Sequence, residues 1–295
     1  MSLLEMLKKK TDSGALILSV EEDSKVNPAG STLSGMSRNG QAMQLGGTED
    51  RYQVHYPALG GRPDREGSVS VTPRKTFEAA MAWHSAHPED RVAVLNFASA
   101  TRPGGGVKTG SSAREESLCR CSTLYPTLDR WWLWQKYYDP NRAVRDNRNT
   151  DACIYSPGIV ICKTDESFPR RMRQEDWVTV DVISCAAPNL RPQPGNVHSP
   201  ASGTRVLLSY SEQYDLHVKR AKHILHIAVA NKADMLVLGA FGCEALMNDP
   251  NAVAEAYRTA LAEYGGWFGH IEFAVYCRPT ETANYDAFMK TLGTK

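Results

Sequence analysis

Two adjacent carboxylates, Glu115 and Glu116, are the sharpest chemical feature of this sequence. They follow Gly104-Gly105-Gly106 after seven residues, Val107 to Ala113, and the cation Arg114. Paired acids can do acid/base work when apolar surroundings raise one pKa and a substrate atom lies within reach. Neighbours on a helix point about 100° apart, so the two cannot address one atom in the same way. One can bind a sugar hydroxyl while the other protonates a leaving oxygen. Equally, both can be solvated acids that complement a helix N-terminus. The glycines permit positive φ and let backbone N–H groups approach phosphate oxygens with no Cβ in the way.

A second small-residue stretch, Gly239-Ala240-Phe241-Gly242-Cys243-Glu244-Ala245-Leu246, has the same setting. Both stretches leave apolar runs of buried-strand length, Val92–Phe97 and Met235–Leu238, and ligands of open α/β sheets bind outside such strand ends. Neither fits a familiar nucleotide motif. GGGVKTGSS lacks the Gly-Lys-Ser/Thr of a Walker loop, and the glycine order misses the dinucleotide fingerprint, which leaves a kinase or dehydrogenase without support.

The elements that must position these loops alternate. Strands are expected at Val69–Val71, Val92–Phe97, Cys153–Tyr155, Ile159–Cys162, Val178–Cys185, Met235–Leu238 and Ile271–Cys277. Helices are expected after Thr72-Pro73 to near His87, at Ala113–Leu124, at Ser211–Asn231 with Val218, Ala221, Leu225 and Ala228 on one face, after Asp249-Pro250, and at Ala283–Leu292. Trp131, Trp132, Trp134, Tyr137 and Tyr138 form an aromatic cluster suited to core or groove packing, and Asp139-Pro140 with the polar run after it marks a loop. The pattern is α/β, with helices on both faces of a sheet. Residues 1–66 are set apart as an extension to a body at 67–295: LLEMLKK suggests a helix, ALILSV a strand, and Asn27–Gly47 loop or disorder.

At 295 residues, 42% apolar and 23% charged, the chain has the composition of a soluble globular protein. A net charge of +1 gives no general attraction to nucleic acid or an anionic membrane, and no apolar run reaches the roughly 20 residues of a membrane helix. Seven cysteines without a secretory leader point to reduced, mostly core thiols in a cytoplasmic setting, or a nucleocytoplasmic one in a eukaryote. Cys119-x-Cys121 has no second pair to complete a zinc site.

Together these residues resemble the compact microbial branch of the macrodomain-type poly(ADP-ribose) glycohydrolases. That family carries three glycines, six to eight residues, then Gln-Glu-Glu. NFASATRPGGG, EESLCRCSTLYPTL, YSPGIVIC, DVISCAAPN and LVLGAFGCEALMNDP look like the same branch, in consistent order across roughly residues 72 to 292. The resemblance implies a macrodomain-like three-layer α/β/α sandwich with a mixed central sheet. It implies ADP-ribose, poly(ADP-ribose) or ADP-ribosylated protein as ligand, nucleic acid only if ADP-ribosylated, and neither metal nor cofactor. By the same carry-over Glu116 is the catalytic acid/base and Glu115 its positioning partner. Asn96, Ser99, Gly104, Gly105, Gly106, Val107 and Arg114 would bind ligand from the first loop. Gly239, Ala240, Phe241, Gly242, Cys243, Glu244, Ala245 and Leu246 would bind it from the second. Three positions depart from the family pattern: Arg114 stands for glutamine, Glu244 for a glycine and Leu246 for an aromatic. A cation beside the acids favours ionised carboxylates and opposes acid catalysis. A non-catalytic ADP-ribose reader, or a hydrolase of arginine- or nucleobase-linked ADP-ribose, is therefore an alternative. Oligomeric state is not legible.

Overall fold

The computed structural model describes residues 67–194, 203 and 205–293, together with the strands β1 (Leu16–Leu18), β2 (Ser34–Met36) and β3 (Ala42–Gln44). The expected helix at LLEMLKK lies outside the described residues. Within Asn27–Gly47, expected as loop, β2 and β3 pair antiparallel as a separate two-stranded sheet, Ser34 facing Gln44.

The main sheet is completed by β4 (Ser68–Thr72), β5 (Val92–Phe97), β6 (Cys153–Ile161), β7 (Val178–Cys185), β8 (Met235–Leu238) and β9 (His270–Ala274). Its order is β1-β6-β7-β5-β8-β9-β4. Strands β7, β5, β8, β9 and β4 run parallel, whereas β6 is antiparallel to both β7 and β1, so the sheet is mixed. Cys153–Tyr155 and Ile159–Cys162, expected as two strands, are one, with a bulge at Ser156-Pro157-Gly158 where the register against β7 shifts between Ser156 and Ile159. Proline lacks the N–H that a regular ladder needs there, and Gly158 takes φ +63° while donating its N–H to Asp181.

Both faces of the central strands are buried, which explains their unbroken apolar sequence. Val92 and Val94 of β5, with Met235 and Val237 of β8, join one core. Ala93 and Leu95, with Leu236 and Leu238, join the other. Helices α1 (Thr76–Ala86), α2 (Arg114–Cys121) and α3 (Leu124–Leu128) cover the first face with Leu133, Tyr137 and Tyr138. Helices α4 (Tyr210–Ala230), α5 (Pro250–Tyr264) and α6 (Ala283–Leu292) cover the second. This is the three-layer α/β/α arrangement.

Several local expectations need correction. Helix α1 begins at Thr76 behind Lys75, not at Thr72-Pro73, because Thr72 is the last residue of β4 and pairs with Ala274. Asp139-Pro140 opens the helical turn Asp139–Val144 instead of a loop, and that turn continues directly from the π-helical turn Trp134–Tyr138, where the Asp139 N–H reaches the Trp134 carbonyl. The aromatic cluster divides, with Tyr137 and Tyr138 buried and Trp131 exposed. In α4 the apolar face is joined by charge: Arg220 is fully buried and donates to Asp151 at 2.9–3.0 Å and to the Ala186 carbonyl at 2.8 Å. Burial alone would push the Asp151 carboxyl up, but Arg220 and Lys219 bring it down to about 2. All seven thiols are free and six are buried. Among the described residues no helix is long and apolar enough to cross a membrane.

Candidate active site

Strands β5 and β8 lie side by side and parallel, so the loops leaving their C-terminal ends emerge together. The first loop turns sharply at Gly104 (φ +64°) and Gly105 (φ +54°) and enters α2 at Arg114, which puts both acids in the first helical turn. The acids are not solvated. Glu115 is 4% exposed and Glu116 6%.

Each carboxyl folds back onto the loop that precedes it. Glu115 Oε2 accepts the Ser99 N–H at 2.7 Å, and the Asn96 amide lies 3.5 Å from Oε1. Glu116 Oε1 accepts the Gly106 N–H at 2.8 Å, while its Oε2 is buried with no hydrogen-bond partner. The 100° splay of adjacent helical residues is thus absorbed by the backbone, which offers an N–H on each side. A Cβ on Gly105 would stand 2.6 Å from Glu116 Oε1 and 3.1 Å from Glu115 Oε2. Glycine is required here for the close approach of both acids as well as for φ. At Gly104 the obstruction is the Tyr125 ring, 2.7 Å from the same added atom.

Burial pushes the Glu115 carboxyl up to about 8, and the charge of Glu116 adds to this against the lowering pull of the Ser99 N–H and Asn96 amide. The pair therefore keeps a proton at neutral pH, the condition for acid catalysis.

Arg114 does not sit against the acids. Its guanidinium lies over Phe97, 4.8 Å from the ring centroid, and Phe97 meets Phe241 of the second loop edge-on at 5.3 Å. The carboxylate that chiefly acts on the cation is Glu244.

The second loop is held from behind. Gly242 (φ +79°) leaves room for Asn248 and Ala187, which an added Cβ would meet at 2.6 and 2.7 Å. Asn248 donates to the Gly242 and Pro188 carbonyls at 3.0 and 2.7 Å and accepts from His217 Nε2 at 2.9 Å. Burial lowers the His217 pKa to about 4, so the ring is neutral when it makes this bond.

The other sequence candidates divide between surface and support. Asn96 is wholly buried and bonds Ser184 at 3.0 Å on the facing strand, so it lies beneath Glu115. Ser99 serves Glu115 through its backbone, while its hydroxyl accepts from Thr101 and Arg102 and braces the loop. Leu246 packs toward the core beneath α4 and α5, Val107 packs against the opposite core, and Glu244 and Ala245 face solvent. Ala240, Phe241 and Cys243 are buried. Ser184, Tyr125, His217 and Asn248 are supports that sequence patterns do not single out. Their only signal is spatial, since Ser184 gains its place by pairing opposite Asn96 across β5 and β7. Among the described residues no group of three or more His, Cys, Asp or Glu side chains converges to hold a metal.

The family model for the microbial-type poly(ADP-ribose) glycohydrolase catalytic domain matches residues 24–164. The fold matches the Thermomonospora curvata poly(ADP-ribose) glycohydrolase at 32% identity and a TM-score of 0.67, covering 79% of this chain and 80% of that one. The chain belongs to the microbial-type poly(ADP-ribose) glycohydrolase family. The Thermomonospora enzyme bound to the inhibitor ADP-HPD matches with a TM-score of 0.64 at 32% identity, over 76% of this chain and 78% of that one. The Deinococcus radiodurans enzyme in complex with ADP-ribose matches with a TM-score of 0.65 at 31% identity, over 78% and 86%. A search of curated proteins finds no match. Membership makes the chain a hydrolase of glycosidic bonds. It also places the glycine loop and both acids of this chain inside the stretch matched by the family model.

Proposed function

We propose that this glycohydrolase cleaves poly(ADP-ribose) or protein-linked ADP-ribose with Glu116 as its acid/base and Glu115 as the partner that positions the sugar. The observation that carries the assignment is the unequal use of Glu116's oxygens. Oε1 is fixed on the Gly106 N–H, while Oε2 is buried and unpartnered. An unpaired carboxyl oxygen in an apolar setting is costly unless a substrate atom meets it.

The glycine loops cradle the ligand's diphosphate and present the anomeric carbon to Oε2. The proton that the pair retains passes to Glu116, which delivers it to the leaving oxygen as the C–O bond breaks and an oxocarbenium-like state forms. Glu116, now ionised, takes a proton from water as the water oxygen bonds to the anomeric carbon. Glu115, its proton passed on, accepts a hydrogen bond from a ribose hydroxyl and so positions the sugar. Asn96 and Ser184 act through Glu115 and do not touch the ligand. The family departure at Arg114 does not argue for an inactive reader, because the cation lies over Phe97 and not against the acids.

Glu116→Gln tests the reading. Turnover of poly(ADP-ribose) should fall by about 10³-fold, within the range for loss of a general acid/base, while calorimetric ADP-ribose binding survives. Full activity in that variant would sink the assignment. Presenting poly(ADP-ribose) beside serine- and arginine-linked ADP-ribose settles the linkage. We read residues 67–295 as the catalytic body and 1–66 as an extension of it, in a cytoplasmic setting that the seven free thiols support.

A further inference from the structure

Arg114 stands at the seam between the two glycine loops. It starts α2 at the end of the first loop, and its Nη1 would lie 3.2 Å from a Cβ at Gly239, where the second loop begins. The same added Cβ would stand 3.2 Å from Phe97 Cζ and 2.9 Å from the Ala274 carbonyl oxygen, so the guanidinium, the ring and the strand end close around bare backbone. The guanidinium lies with its carbon over the Phe97 ring in a cation–π contact. Its N–H donors lie in the plane of the group and remain presented at the edge, in the fork geometry that suits two phosphate oxygens. Among the described residues no hydrogen bond or ion pair within 4 Å occupies that fork.

The cation is not left uncompensated. Burial lowers the Arg114 pKa, and the groups acting against this both come from the second loop, Glu244 first and then Cys243. Glu244 itself is exposed, three residues beyond Phe241, on the segment whose backbone turns at Gly242. The two loops thus carry opposite charges toward one seam, and the carboxylate is on the solvent side.

We propose that Arg114 binds the ligand's diphosphate and that Glu244 is an internal anion competing for the same guanidinium. In the free protein Glu244 screens the cation from outside the fork; the incoming diphosphate takes the open fork against that competing charge. Affinity for the diphosphate is thereby set by a pair of residues, one on each loop, and not by loop backbone alone. This deepens the ADP-ribose reading above and rests on it.

A double-mutant cycle followed by calorimetry tests the idea, with ADP-ribose as probe and adenosine as the phosphate-free control. Arg114→Gln should weaken ADP-ribose about tenfold, as loss of a charge-assisted pair does, and flatten the salt dependence of binding. Arg114→Lys, which keeps the charge but loses the planar fork, should recover only part of the affinity. Glu244→Gln should tighten ADP-ribose several-fold in the parent protein and change it less than twofold in the Arg114→Gln background. Adenosine should be indifferent to all of these changes. An unchanged ADP-ribose affinity in Arg114→Gln, or an equal effect of Glu244→Gln in both backgrounds, would overturn the proposal alone. Absence of ADP-ribose binding by the unaltered protein would overturn the parent reading with it.

Discussion

The two loops leave neighbouring parallel strands, both turn on glycines of positive φ, and they are nonetheless stabilised in opposite ways. The first is closed from within: Glu115 and Glu116 reach back from α2 and take the N–H groups of Ser99 and Gly106. The second is braced from outside, by Asn248 and by His217 on α4. The groups that hold the first loop are therefore the groups that do chemistry, and a change there cannot spare turnover. The second loop is held by neutral groups away from the acids, so its changes register first in stability and ligand affinity.

Breaking the first loop should give the largest effect. Gly105→Ala drives a Cβ into Glu116 Oε1, and kcat should fall about a hundredfold, the cost of an ångström-scale misplacement of a catalytic group. Undiminished turnover would mean that the acids do not need a bare Cα at that position. Gly242→Ala forces the same kind of clash against Asn248 and Ala187, yet it should show chiefly as about 2–3 kcal/mol of lost stability in urea titrations.

Protons sharpen the contrast, because the loops respond to opposite ends of the pH scale. In the fold Glu115 holds a proton that the unfolded chain releases, since its pKa rises from 4.5 to about 8. Its stabilising contribution is complete below pH 4.5 and is lost as pH rises through 8. Glu115→Gln should abolish that alkaline loss, read as the difference in unfolding free energy between pH 5 and pH 9. His217 has the reverse sign. Its pKa falls from 6.5 to about 4, so stability is complete above 6.5 and is lost as pH falls toward 4. His217→Gln should flatten this acid limb, a smaller change than that at Glu115 because the shift is smaller. Equal slopes before and after substitution would detach His217 from the loop's stability.

The sheet was legible because its central strands are buried on both faces, and β5, β7 and β8 lie where apolar runs end in small residues. The acids and glycines were legible as a motif, but their burial was not. Spacing alone favours solvated acids at a helix N-terminus, and only the loop's return over α2 excludes water from them. Arg114 reads in sequence as a neighbour of the acids, but adjacency says nothing of side-chain direction on a helix, and its partner Phe97 lies on another element. Arg220 looks like part of a solvated face. Its burial depends on Asp151 and the Arg148 and Asn149 carbonyls of one loop and on the Ala186 carbonyl just after β7, for which α4 carries no sign. The β6 bulge had a signal in Ser156-Pro157-Gly158, but proline and glycine mark a break in the ladder without saying whether the chain turns or continues.

Strand β1 supplies only three residues to the sheet, Leu16–Leu18, laid against Cys153–Tyr155 of β6. Without it, the first stretch of β6 would present its outward N–H and C=O groups as an open template, and such edges recruit strands from other copies. Proteolytic trimming of the chain to residue 67 would then produce a species that self-associates through bared sheet edges, whatever became of its active site.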